Sequence, residues 1–108
     1  MKILITGSGG FIGKHMVKFF KDEDVIPFDL KTGQDILTSE LPECDKVIHL
    51  AAQTDAFDKD AYKDAETNIL GTVRLLEKYG DKLVFISSSM VNYLYSPYSL
   101  SKKCGELY

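Results

Sequence analysis

Two rhythms of apolar residues alternate along the chain. Compact runs occupy Lys2–Thr6, Val25–Phe28, Lys46–Ala51 and Leu83–Ile86. Runs of this length, rich in β-branched residues and bounded by polar or glycine-containing stretches, predict buried strands. Pro27 removes one ladder donor from the second of them. Between the runs, apolar positions recur at three and four. Phe11, Ile12, His15, Met16, Phe19 and Phe20 predict a helix over 11–21 with Lys14, Lys18 and Lys21 on its wet side. A longer helical pattern runs from Lys59 to Lys78 through Ala61, Ala65, Ile69, Val73 and Leu76, with Gly80 as its C-terminal stop. Pro97 stands where a last helix, Tyr98–Tyr108, begins. Residues 30–45 are weakly patterned: Asp35-Ile36 reads as a vestigial strand, and Ser39–Asp45 as a turn or a single helical turn.

Strands alternating with helices predict an α/β fold with a parallel sheet covered on both faces, and right-handed crossovers make it doubly wound. At 108 residues, 1–108 is read as one domain. With 44% apolar and 27% charged residues the composition is that of a globular protein. The net charge of -3, with no basic run longer than two residues, argues against a nucleic-acid or anionic-membrane partner. No apolar run approaches the roughly 18 residues of a membrane span, and the first is broken by Gly7 too early for a signal peptide. Cys44 and Cys104 form no paired motif and read as free thiols, so the expected location is cytoplasmic.

The most informative stretch is Thr6-Gly7-Ser8-Gly9-Gly10-Phe11-Ile12-Gly13, between a strand and a helix. It breaks the strict GxGxxG spelling, because Ile12 stands at the third glycine, but fits GxxGxxG through Gly7, Gly10 and Gly13. Gly7 would permit the tight turn, Gly10 the approach of a pyrophosphate, and Gly13 the packing of helix on sheet. The helix N-terminus would face the phosphates. Asp29 ends the next strand 22 residues after Gly7, near the spacing at which a carboxylate reaches the adenosine ribose. That carboxylate repels a 2′-phosphate, so NAD is expected over NADP, with Lys31 as the only local cation to soften the preference.

Farther on, Tyr98 and Lys102 lie one helical turn apart. A phenol titrates near 10, and a neighbouring ammonium favours its ionised form. At about 4 Å and an effective dielectric of about 20 the pair is worth roughly 4 kcal/mol before desolvation. Ser87, Ser88 and Ser89 follow a strand at its carboxyl end, where open α/β sheets bind ligands. His49 reads as a core or hydrogen-bonded histidine. The carboxylates Asp55, Asp58, Asp60, Asp64 and Glu66 read as a solvated face, with no metal site.

With these features in this order the chain resembles the short-chain dehydrogenase/reductase superfamily, most closely its extended branch, the NAD-dependent epimerases and dehydratases of nucleotide-sugars. The carriers are TGSGGFIG (6–13), the strand ending at Asp29, Asp35-Ile36, VIHLAA (47–52), TNILGTVRLLE (67–77), ISSS (86–89) and YSLSK (98–102). The resemblance implies a Rossmann-type domain. Phe11 and Ile12 would lie over the pyrophosphate, Asp29 would hold the ribose, and Asp35 and Ile36 would flank the adenine. Leu50, Ala51 and Ala52 would line the cleft, and Asn68 would face it. Ser89 would orient the substrate, Tyr98 would be the acid/base, and Lys102 would bind the nicotinamide ribose and tune Tyr98. The implied substrate is a nucleotide-sugar, and a homodimer is compatible with it. A keto-sugar reductase and a non-catalytic dinucleotide-binding module are the alternatives.

Three departures stand out. Only nine positions separate Ser89 from Tyr98. The stretch from Asp29 to Asp35 is too short for a helix and a full strand. The sequence stops at Tyr108 within the helix of Lys102, so the fold is expected to be truncated there, with the later strands and the substrate region outside it.

Overall fold

Each of the four apolar runs forms a strand of one parallel sheet. The computed structural model describes residues 1–52, 61–88, 92 and 97–107. The strands are β1 (Lys2–Thr6), β2 (Asp24–Phe28), β3 (Lys46–His49) and β4 (Leu83–Phe85), in the order β2-β1-β3-β4. Ile5 stands opposite Pro27 on one side and Ile48 on the other. Pro27 is tolerated because β2 is, among the described residues, an edge strand paired with β1 alone.

Alternation along β1 divides the core in two. Ile3 and Ile5, with Ile48, pack against Met16, Val17 and Phe20 of α1 (Phe11–Phe19) and the residue after it. Leu4, Phe28 and Val47 face the other way, against Leu75 and Tyr79 of α3 (Gly71–Tyr79). This is the Rossmann-like, doubly wound arrangement expected from the sequence. Before α3 come a short α2 (Ala61–Asp64) and a π turn (Ala65–Leu70), and the last helix is α4 (Pro97–Leu107). Gly80, at φ 56°, ends α3 as expected.

The structure corrects several local expectations. The inward flank of α1 is Gly13, Met16, Val17 and Phe20, whereas Phe11 and Phe19 are 83% and 77% exposed. The true stripe begins at a glycine, which apolarity does not mark. The buried stripe of the long helix is likewise Asn68, Thr72, Leu75 and Tyr79, and Ile69, Val73 and Leu76 lie half-buried beside it. Two of its four members are polar, so hydropathy points to the flank. Among the described residues strand β4 ends the sheet, with Val84 exposed, and Ile86 lies past its last residue.

Asp35-Ile36 is a turn and not a strand. The N–H of Ser39 donates to the Asp35 carbonyl at 2.8 Å, the Asp35 N–H to Ser39 Oγ at 2.8 Å, and the Leu37 N–H to Asp35 Oδ1 at 2.9 Å. Joining parallel strands takes a crossover of about a dozen residues or more, which the Asp29–Asp35 link does not supply. Residues 40–44 are irregular rather than helical, and carry Leu41 and Cys44 into the core. Tyr79 anchors them, its hydroxyl donating to the Pro42 carbonyl at 2.6 Å.

Candidate functional site

The carboxyl ends of the strands open into a cavity of about 690 Å³, within the range of roughly 300–1,000 Å³ of small-molecule sites. Its first wall is the loop after β1. Gly7 has φ 70°, and a Cβ there would lie 2.8 Å from the Ala51 nitrogen. A Cβ on Gly13 would lie 2.0 Å from the Gly7 carbonyl oxygen, so this glycine admits the loop itself more than the sheet. Gly10 is the N-cap of α1, no side chain caps that end, and the first turn carries no acid. Uncapped amides at a helix start suit an anion. Phe11 and Ile12, in that first turn, line the cavity from their exposed positions.

At the far end, Asp29 closes β2 and lines the cavity. Its Oδ2 accepts from the Gly9 N–H and its Oδ1 from the Lys31 N–H, both at 2.8 Å. Lys31 also lines the cavity and donates from Nζ to the Gly9 carbonyl at 3.0 Å. Asp35, Ile36 and Leu37 complete this end.

The floor is Leu50, Ala51 and Ala52 after β3. Beneath it runs a directed series of hydrogen bonds. The Leu50 and Ala51 N–H groups both donate to Thr6 Oγ1 at 3.1 Å. The Thr6 hydroxyl lies 2.8 Å from His49 Nδ1, and His49 Nε2 lies 3.1 Å from Thr72 Oγ1. Thr72 donates its own proton to the Asn68 carbonyl at 2.7 Å, so it accepts from His49 and fixes the Nε2–H tautomer. Burial and then the charge of Lys102 push His49 down to about 3, so it stays neutral. This is the hydrogen-bonded core histidine expected from the sequence.

The last wall is α4. Tyr98 and Lys102 both line the cavity, as do Ser87 and Ser88. Lys102 is 6% exposed, its Nζ 4.5 Å from the centre of the Phe85 ring, and burial holds its ammonium below the ordinary lysine range. Ser87 donates to Glu106 at 2.5 Å. Ser89 lies outside the described residues, as does Tyr93. Asn68, expected to face the cleft, is buried and donates from Nδ2 to Ser101 Oγ at 2.9 Å, and Ser101 in turn donates to the Tyr98 carbonyl at 2.7 Å. Thr67 and Lys63 line the cavity and were not foreseen. They lie in and beside the π turn, whose register no apolar period announces. Among the described residues no cluster of His, Cys, Asp or Glu is placed to hold a metal, and no helix is long and apolar enough to cross a membrane.

The sequence profile of the NAD dependent epimerase/dehydratase family matches residues 3–108. The chain belongs to this family. A Methanocaldococcus jannaschii protein provisionally named UDP-glucose 4-epimerase is 37% identical across 98% of the chain and 49% of its own length. Among solved structures, MoeE5 in complex with UDP-glucose and NAD superposes with a TM-score of 0.88 at 26% identity, over 99% of this chain and 47% of that one. The UDP-glucuronic acid 4-epimerase from Bacillus cereus in complex with NAD gives 0.81 at 30% identity, over 99% and 50%. The chain thus spans about half the length of each of these three proteins. The residues lining the cavity fit the family's dinucleotide: an uncapped helix start with a glycine loop, a carboxylate across the cavity, and a tyrosine and lysine at its other end.

Proposed function

We propose that this chain forms the NAD-binding part of an enzyme that remakes a nucleotide-sugar, by epimerisation or dehydration. One observation carries the reading: the glycine loop, Asp29, Tyr98 and Lys102 converge on one cavity. When bound there, NAD would supply hydride exchange with a substrate carbon. Gly10 and the first turn of α1 bind the pyrophosphate, and Asp29 the adenosine ribose. Tyr98 moves the proton of the substrate hydroxyl on the same carbon. Lys102 binds the nicotinamide ribose and supports Tyr98 electrostatically. Ser89 orients the substrate oxygen. The free thiols Cys44 and Cys104 suit a cytoplasmic, reducing setting.

A reductase using NADPH is the second reading, favoured by Lys31 beside Asp29 in the cavity wall. A related fold, RMD from Pseudomonas aeruginosa complexed with NADPH, matches at 26% identity and a TM-score of 0.78. Fluorescence titration separates the two. NADH should bind about tenfold or more tighter than NADPH, given the carboxylate of Asp29. Tighter NADPH binding would assign the site to the reductase. With UDP-glucose as probe, Tyr98→Phe should keep NADH affinity and lower turnover by about 10²–10⁴. Unchanged turnover would remove Tyr98 from the chemistry.

A further inference from the structure

The turn at residues 35–39 is held in an unusual way for a wall of a binding site. It follows the edge strand β2 in the chain and packs with Leu4, Val47 and Leu75 on the α3 face of the sheet, and the link before it is too short to make it another strand. No sheet ladder therefore fixes it. Its internal bonds, through Asp35 and Ser39, shape the turn and do not attach it to the rest of the molecule. The attachment comes from α3. Arg74 donates from Nη1 to the Ile36 carbonyl at 2.7 Å and from Nη2 to the Ser39 carbonyl at 2.6 Å. One turn earlier, Gly71 lets Ile36 rest directly on the helix: a Cβ at Gly71 would lie 3.2 Å from Ile36 Cγ2. Ile36 is buried, yet it and its neighbours Asp35 and Leu37 form the cavity wall.

We infer that Arg74 is a positioning residue for the adenosine half of the cofactor, its guanidinium standing in for the hydrogen bonds a further strand would have made. The planar fork suits the task, because its two nitrogens hold two carbonyls at a fixed separation. An ammonium carries no such fork. Arg74 touches no ligand itself; it sets where Asp35, Ile36 and Leu37 stand. This rests on the reading of the cavity as a dinucleotide site with its adenosine end at Asp29 and Asp35.

The test compares two fluorescent probes on the intact protein. NADH carries the adenosine half, and reduced nicotinamide mononucleotide lacks it. Arg74→Met should weaken NADH binding about tenfold, the usual scale for losing hydrogen bonds from a charged donor, and leave the mononucleotide unchanged. Arg74→Lys, which keeps the charge and the packing of the stem, should give an intermediate loss for NADH alone. Equal weakening of both probes in the two variants, or no change in either, would overturn the inference. If the unaltered protein binds neither NADH nor ADP-ribose, the cofactor reading itself falls, a result distinct from a variant that binds as well as its parent.

Discussion

Lys102 is buried where its surroundings favour the neutral amine, and Glu106 only partly opposes that. The unfolded chain, with the ordinary value of 10.5, binds this proton more readily than the folded one. Stability therefore rises as pH climbs from the lowered folded value to 10.5, and is lost as pH falls back through that interval. Below that interval the fold bears the whole cost. Replacing Lys102 with methionine keeps the stem and removes the charge. In calorimetry of the cofactor-free protein at pH 7, Lys102→Met should raise Tm by several degrees, about 4–8 °C if the relief is ~1 kcal/mol. The gain should shrink above pH 10. An unchanged or lower Tm at pH 7 would mean that the contact with the Phe85 ring outweighs the burial.

At the scale of elements, the loop and α1 form one unit because two chain segments meet where a side chain has no room. Gly13→Ala would drive a Cβ against the Gly7 carbonyl, so the loop must move. The expected result is a loss of about 1–3 kcal/mol in stability and at least tenfold weaker NADH binding by titration. Gly33→Ala is the control. Its φ of 87° costs about 1–2 kcal/mol, but a Cβ there meets nothing within 4 Å. It should leave NADH affinity unchanged. If both substitutions affected binding alike, general strain and not the packed loop would be the cause.

The same scale shows what could be read in advance. Strands β1 to β4 were legible because apolar runs between breakers have few other solutions. The loop and Asp29 were legible because their spacing is fixed by the span of a β-α-β unit. The inner stripe running through the π turn and α3 was not, because Asn68 and Thr72 are buried through hydrogen bonds rather than apolarity. The π turn escaped for a related reason: it shifts the register by one residue without changing the composition. Asp35-Ile36 reads as a vestigial strand in sequence because its fixing partner, Arg74, lies 38 positions away from Ile36.

For the whole molecule, the cavity is the place where all the layers meet. The loop after β1, the end of β2, the floor after β3, the π turn and α4 all contribute walls to it. A ligand there adds contacts among all of these elements at once. Saturating NAD should therefore raise the Tm of the intact protein. At a hundredfold excess over Kd the gain is about 2.7 kcal/mol, or roughly 5 °C or more by scanning calorimetry. No shift would show that the cavity does not take NAD.

Thr6 has a consequence of its own. Its one hydroxyl engages the amides of both Leu50 and Ala51, so the floor of the cleft offers neither of these donors to a guest. The start of α1, by contrast, is left uncapped. A long molecule with a negative waist then has one berth for that waist and one heading along the groove. The threonine thereby helps decide which end is bow and which is stern.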